Sequence, residues 1–304
     1  MKSTGLFELN AVVSVSTHKS FRKAAVELGM SPSTLSHAIS GLEQRLGIRL
    51  FHRTTRSVSL SEAGEEFLSH IRPALRQISL AMESANEFRD TPKGTIRINT
   101  SEPAARMVLE PILLKFLQQY PEMKLDLVTD GRLIDIVSEG FDAGIRLTEA
   151  VPQDMIAVSC SPALRFAVVG SPAYFRDRSQ PLTPSDLLSH NCIKSRRPSG
   201  SIYRWEFEKR GEQVVIDVAG TITLDNHIVI HDALLKGAGL GYINEWAVHE
   251  DIEQGRLIRV LEDWTPPFPG LSVYYPSHRH VSAGLRAFIA IARESQKTRT
   301  NLTA

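Results

Sequence analysis

Between Ser20 and Leu60 the chain reads SFRKAAVELGMSPSTLSHAISGLEQRLGIRLFHRTTRSVSL. This pattern predicts two short helices around a tight turn, followed by a basic hairpin. Ser20 is placed to cap a first helix carrying Ala24, Ala25 and Leu28 on one face, and Gly29 has the backbone freedom to end it. Ser31 then caps a second helix with Pro32 at its first position, where a missing N–H costs nothing. Leu35, Ile39, Leu42 and Leu46 recur as one apolar stripe, while Ser33, Ser36, His37, Ser40 and Gln44 lie opposite. Small alanines allow the close crossing of a helix-turn-helix, and short polar groups suit a major groove.

The next segment, RLFHRTTRSVSL (49–60), brings Arg49, Arg53 and Arg56 together with His52, Thr54 and Thr55 and contains no acid. Guanidinium and hydroxyl groups on a two-stranded wing suit phosphate contacts. Over the first sixty residues Lys2, Lys19, Arg22, Lys23, Arg45, Arg49, Arg53 and Arg56 face only Glu8, Glu27 and Glu43. The whole chain has a formal charge of only +1, so this basic surplus is local, as in a module that binds nucleic acid. The candidate DNA contacts are Ser20, Ser31, Pro32, Ser33, Thr34, Ser36, His37 and Ser40 on the helices, with Arg53, Thr54 and Arg56 on the wing.

This run, followed by SEAGEEFL (61–68), resembles the amino-terminal domain of LysR-type transcriptional regulators. Where many members carry Gln-Pro early in the reading helix and Arg after its Leu-Ser pair, this chain has Pro32-Ser33 and Ser36-His37. The resemblance implies an α/β protein with a winged helix-turn-helix head and a long linker helix. It also implies a two-lobed effector domain similar to periplasmic solute-binding proteins. The expected layout is a head over 1–60, a linker helix over 61–89, a hinge at 90–93 and an effector domain over 94–304. Within the last, lobe 1 takes 94–161 and 268–304, and lobe 2 is an insertion over 162–267.

The linker's apolar residues Phe67, Ile71, Ala74, Ile78, Ala81, Ala85 and Phe88 step alternately by four and three, a rhythm that asks for a partner helix. Phe67, Ile71 and Ile78 are the candidate dimer seam, and Pro73 should bend the helix. The resemblance implies a homodimer or homotetramer on double-stranded operator DNA, with RNA polymerase as a further partner.

Beyond the hinge, strand-like and helical runs alternate, which argues for parallel sheets flanked by helices. The expected strands include 95–100, 124–130, 143–147, 164–171, 214–218, 241–244, 257–261 and 270–276. The expected helices are 103–120, 227–237, 246–254 and 282–293, with a helical turn over 134–139. Ligands of open α/β sheets sit beyond the carboxyl ends of strands. That rule selects Thr100, Ser101, Arg146, Thr148 and Asn244, with Asn226 at a helix start and Tyr203 and Trp205 in a polar loop. The resemblance places these residues around a cleft that holds a small-molecule inducer, a small organic or aromatic acid. Glu102 partly occupies an anion's place, so a hydroxylated acid or a ligand carrying an amine also fits.

No catalytic residue, cofactor or metal is assigned. His227 and His231 have a ligand spacing but lack a third donor, and no phosphate loop or nucleophile elbow is present. Two cysteines, Cys160 and Cys192, make no disulfide framework, and neither has a thiolate-stabilising neighbourhood. With no membrane-length apolar run or leader pattern, a cytoplasmic protein is expected. Two alternatives stay open: a thiol-based redox sensor on the same scaffold, and a solute-binding or enzymatic α/β protein.

Overall fold

A computed structural model describes residues 5–54, 57–84, 92–277 and 281–300. Its first element, α1 (Leu6–His18), is a helix that the sequence reading passed over; Ala11, Val12 and Val15 are its buried side. Next come α2 (Phe21–Glu27), capped by Ser20, and α3 (Pro32–Leu46), capped by Ser31. Gly29 and Gly47 end them at φ of 65° and 72°, the left-handed region that glycine enters without strain. Strands β1 (Phe51–Arg53) and β2 (Val58–Leu60) form the wing, antiparallel with Phe51 opposite Leu60. Ala24, Ala25, Leu35, Ile39, Leu42 and Leu50 close the head's core, but Leu46 lies outside it, 39% exposed.

Helix α4 (Glu62–Ser84) follows, with Pro73 inside it. Gly64 in its first turn is required by contact: a Cβ there would lie 2.1 Å from the Leu50 carbonyl oxygen. Leu68 is buried in the head's core and Phe67 packs against that core, while Arg72 donates to Ser16 Oγ at 3.0 Å. Of the three candidate seam residues, Phe67 and Ile71 are half-buried and Ile78 is exposed. The seam positions Ala85 and Phe88, the Ala81 side chain and the first two hinge residues lie outside the described residues.

The remaining chain runs β3 (Gly94–Thr100), α5 (Glu102–Val108), α6 (Lys115–Gln119), β4 (Met123–Thr129), β5 (Ala143–Leu147), β6 (Met155–Ser159) and β7 (Phe166–Gly170). It continues through α7 (Pro172–Phe175), β8 (Ile193–Ser195), β9 (Trp205–Lys209), β10 (Glu212–Ile216), β11 (Ile222–Leu224), α8 (His227–Leu235) and β12 (Gly241–Asn244). Last are α9 (Glu245–Glu253), β13 (Ile258–Val260), β14 (Leu271–Pro276) and α10 (Ala283–Thr300).

Strands of the first sheet are ordered β4-β3-β5-β14-β6, around a core that includes Ile98, Ile145, Val273, Phe116 and Phe288. The sheet is mixed, not all-parallel: β3 runs parallel to β4 and β5, and β14 antiparallel to β5 and β6. A strand returning from a distant part of the chain is free to enter in either direction, whereas consecutive βαβ units are not. Between β6 and β14 the chain builds an antiparallel sheet, β12-β7-β13, a β9–β10 hairpin and a parallel β8–β11 pair. Leu164 and Phe268 pair by two backbone hydrogen bonds where the chain leaves the first sheet and returns to it.

Four strands, β6, β8, β9 and β11, are absent from the expected set; each has only three or five residues. The helix expected over 103–120 is interrupted by a π-helical stretch, Leu109–Leu114, that contains Pro111. A proline without N–H disturbs the regular ladder at that point. The helical turn expected at 134–139 is a hydrogen-bonded turn, with Phe141 N bonded to the Ile136 carbonyl.

Candidate functional site

The exposed face of α3 presents Ser33, Thr34, His37, Ser40 and Gln44. Ser20 and Ser31 are caps, their hydroxyls accepting from the N–H of Lys23 and Thr34. Ser31 Oγ also lies 2.8 Å from both Ser33 Oγ and Thr34 Oγ1, so these hydroxyls form one cluster at the amino end of α3. His37, one turn further on, is exposed. Ser40, Gln44 and Arg49 line a groove of about 570 Å³ between α3 and the wing.

Glu43, which the sequence reading treated only as a stray acid, holds that groove together. Its carboxylate accepts the N–H groups of Leu50 at 2.8 Å and Phe51 at 3.2 Å, and pairs with Arg53 at 2.9 Å. Arg53 also donates to Ser36 Oγ at 3.1 Å and lies over the Phe21 ring at 4.5 Å. Arg53 is therefore not the free phosphate cation that its place in the wing suggested; in the free protein it joins wing, α2 and α3. Thr54 closes the wing turn, accepting from Ser57 N at 2.9 Å. Arg56 lies outside the described residues.

In the two-lobed part, the carboxyl ends of β3 and β5 do carry polar residues, but most are already engaged. Thr100 is fully buried and donates to the Ile145 carbonyl at 3.2 Å. Arg146 is only 7% exposed and donates to the carbonyls of Ile145, Asp130 and Arg132 and to Asn99 Oδ1. Burial pushes the Arg146 pKa below its usual value, opposed by Tyr274 and Asp130. Thr148 Oγ1 donates to the Gly270 carbonyl at 2.9 Å and lies 2.8 Å from Ser272 Oγ. Ser101, Asn226 and Asn244 cap α5, α8 and α9.

Trp205 lies in a strand and not in the polar loop expected for it. It opens β9, is 1% exposed and stacks on Tyr242 inside an apolar cluster, because alternation along β9 turns Trp205 and Phe207 inward. Tyr203 is half-buried and lines a cavity beside the crossover strands.

Two residues stand out at helix starts. Glu102, first in α5, has a buried Oε1 without a hydrogen-bond partner, its nearest cation being Arg106 at 3.7 Å. His227, first in α8, is open to solvent yet crowded enough that burial lowers its pKa, and the charge opposing that fall is Glu102. The first residues of these two helices are thus within electrostatic reach of each other. Sequence reading weighed Glu102 as a competitor for an anion and His227 as half of a metal pair. The pair does not form: His231 Nε2 lies 2.6 Å from Asp251, and the described residues contain no group able to hold a metal.

Both cysteines are buried and free, and burial raises each thiol to about 12. At neutral pH they are protonated and poorly nucleophilic. Among the described residues no helix is long and apolar enough to cross a membrane.

Comparison with known proteins agrees with this architecture. Residues 6–65 match the bacterial regulatory helix-turn-helix family of the LysR type, and residues 89–297 match the LysR substrate binding domain. The chain is 46% identical over 282 residues to the HTH-type transcriptional regulator YcaN of Escherichia coli K12, covering 93% of this chain and 92% of that protein. It is 42% identical over 290 residues to PgrR of the same organism, covering 95% and 97%. The full-length fold of AphB, a virulence activator of Vibrio cholerae, superposes with a TM-score of 0.64 at 24% identity, covering 95% of this chain and 98% of that one. The chain belongs to the LysR-type transcriptional regulators: it is a DNA-binding regulator with an effector-binding domain, and not an enzyme.

Proposed function

We propose that the protein is a cytoplasmic, inducer-responsive regulator that binds operator DNA as a symmetric homodimer or homotetramer. Ser33, His37 and Ser40 on α3 enter the major groove, and the wing lies on the flanking backbone. The α4 helices of two copies pair through Ile71 and Ile78 and set the spacing of the heads. Lobes over 94–161 with 268–304, and over 162–267, close on a small organic ligand and change the DNA geometry that the oligomer imposes.

The observation that carries the ligand half is the buried Oε1 of Glu102, which accepts no hydrogen bond and has only Arg106, 3.7 Å away, beside it, within electrostatic reach of His227. Buried polar atoms are rarely left unpaired, and a ligand donor such as a hydroxyl or amine satisfies this one. Such a group is consistent with a hydroxylated acid or amino acid, and less so with a simple carboxylate.

The test starts by selecting operator fragments from genomic DNA with the full-length protein. Thermal shift is then measured against a panel of aromatic acids, hydroxy acids, amino acids and amines. The expected outcome is a hit whose shift and effect on operator binding are lost in Glu102→Ala, with unliganded operator affinity within about twofold of wild type. A hit that retains its full effect in Glu102→Ala and in His227→Ala refutes this assignment of the cleft.

A further inference from the structure

A second cavity, of about 380 Å³, lies beside the crossover strands, and neither Glu102 nor His227 lines it. Its walls include the rings of Phe166, Tyr203, Tyr242 and Phe268. Phe166 stacks on Tyr242 with centroids 4.6 Å apart and on Phe268 at 5.1 Å, which makes one continuous aromatic floor. Around this floor stand three carboxylates, Glu149, Glu206 and Glu208, and among the described residues no lysine, arginine or histidine is part of the lining. Glu206 lies 3.9 Å from Arg197, whose guanidinium sits over the Tyr203 ring at 4.5 Å; that ring already accepts one cation. Glu149 and Glu208 have no ion-pair partner among the described residues.

Aromatic faces attract cations through their quadrupole, and carboxylates add a net negative potential in a site partly shielded from water. Burial first, then the charge of Glu206, raises the Tyr203 hydroxyl to about 12; the Arg197 guanidinium opposes this, and Glu149 adds a smaller push upward. The chemistry therefore selects against anions.

We propose that this cavity is a binding site for a small organic ammonium ion with a hydrocarbon or aryl body. The body lies on Phe166 and Tyr203, and the charge is held between Glu149 and the Glu206–Glu208 edge. Glu149 follows β5 of the first sheet, whereas Glu206 and Glu208 lie on β9. A bound cation thus bridges the two lobes at their crossover and favours one relative placement of them, independently of a ligand at Glu102.

Isothermal titration of the full-length protein tests this with three probes: benzyltrimethylammonium, benzyl alcohol and benzoate. The cation should bind at least about tenfold more tightly than the alcohol. A Glu149→Gln/Glu208→Gln variant should weaken the cation about fivefold or more while leaving melting temperature and operator binding unchanged, and Tyr203→Leu should weaken it similarly. Glu102→Gln should leave cation binding as in wild type. The proposal is overturned by equal affinity for cation and alcohol, or by a double glutamine variant that binds like wild type. Loss of cation binding in Glu102→Gln also overturns it, since that places the cation in the cleft.

Discussion

Glu43 turns one half-buried helix position into the anchor of the wing, and its replacement has consequences that can be worked out from the contacts. Its side chain is 13% exposed and serves two backbone donors and Arg53 at once. Hydrogen bonds to a charged acceptor contribute about 1.5–3 kcal/mol each, and a half-solvated ion pair about 1 kcal/mol or less. Water reaches the part-buried amides once the carboxylate is gone, so the lower range applies. Glu43→Ala should then weaken the attachment of the wing by about 2–4 kcal/mol, that is, by roughly 30-fold to several hundred-fold. Glu43→Gln keeps an oxygen for Leu50 N and Phe51 N and should lose about 1 kcal/mol or a little more. Hydrogen exchange of peptides spanning 48–60 in the full-length protein reads this opening directly. Protection should fall in the order wild type, glutamine, alanine, with the core of α3 near Leu35 and Ile39 much less affected. Equal protection in wild type and Glu43→Ala would mean that the wing is held by its apolar contacts, Phe51 and Leu60, and would refute the anchoring role.

Arg53→Ala should lower operator affinity, yet reduce the salt slope by less than the ~0.9 of one phosphate contact, because Glu43 already neutralises this charge; a full one-phosphate decrease would show that the pair opens on DNA. Ile78, 40% exposed on a single chain, should be covered in the oligomer, so Ile78→Asp should shift sedimentation toward the monomer and weaken operator binding at least tenfold; an unchanged mass sinks the seam. Asp251 is held below the usual carboxylate range: burial pushes it up, but hydrogen bonds from Arg256 and His231 outweigh that. A depressed folded pKa means its stabilisation is complete above the unfolded carboxylate value and is lost as pH falls through the folded one. Acid melting below about pH 4 should therefore be less steep in Asp251→Asn, and parallel curves would contradict it. Cys160→Ser and Cys192→Ala, each compared with wild type, should show no change in how operator binding responds to millimolar peroxide; a response that depends on either thiol would restore the redox reading.

The amino-terminal head was legible in the residues themselves because its signals are local. Caps at Ser20 and Ser31, the prolines and glycines that start and stop α2 and α3, and the stripe Leu35-Ile39-Leu42 act within a turn or two of chain. The charge surplus that marks a DNA-binding module likewise needs only a count. Helix α1 escaped notice because its apolar residues carry little periodic contrast, and packing on α2 and α3 decides its place. In the effector half, the strand ends where a ligand should sit were readable, but what their side chains do was not. Arg146 and Thr148 are consumed by partners as remote in sequence as Asn99 and Gly270, and Trp205 is drawn inward by the pairing of β9 with β10. Glu102 and His227, 125 positions apart in the chain, come within electrostatic reach of each other only in the folded structure. Sequence determines what the backbone does over a few residues, since those preferences are set by neighbouring atoms. Which polar group is left without a partner, and so available to a ligand, is set by contacts between distant segments, and only the tertiary structure decides that.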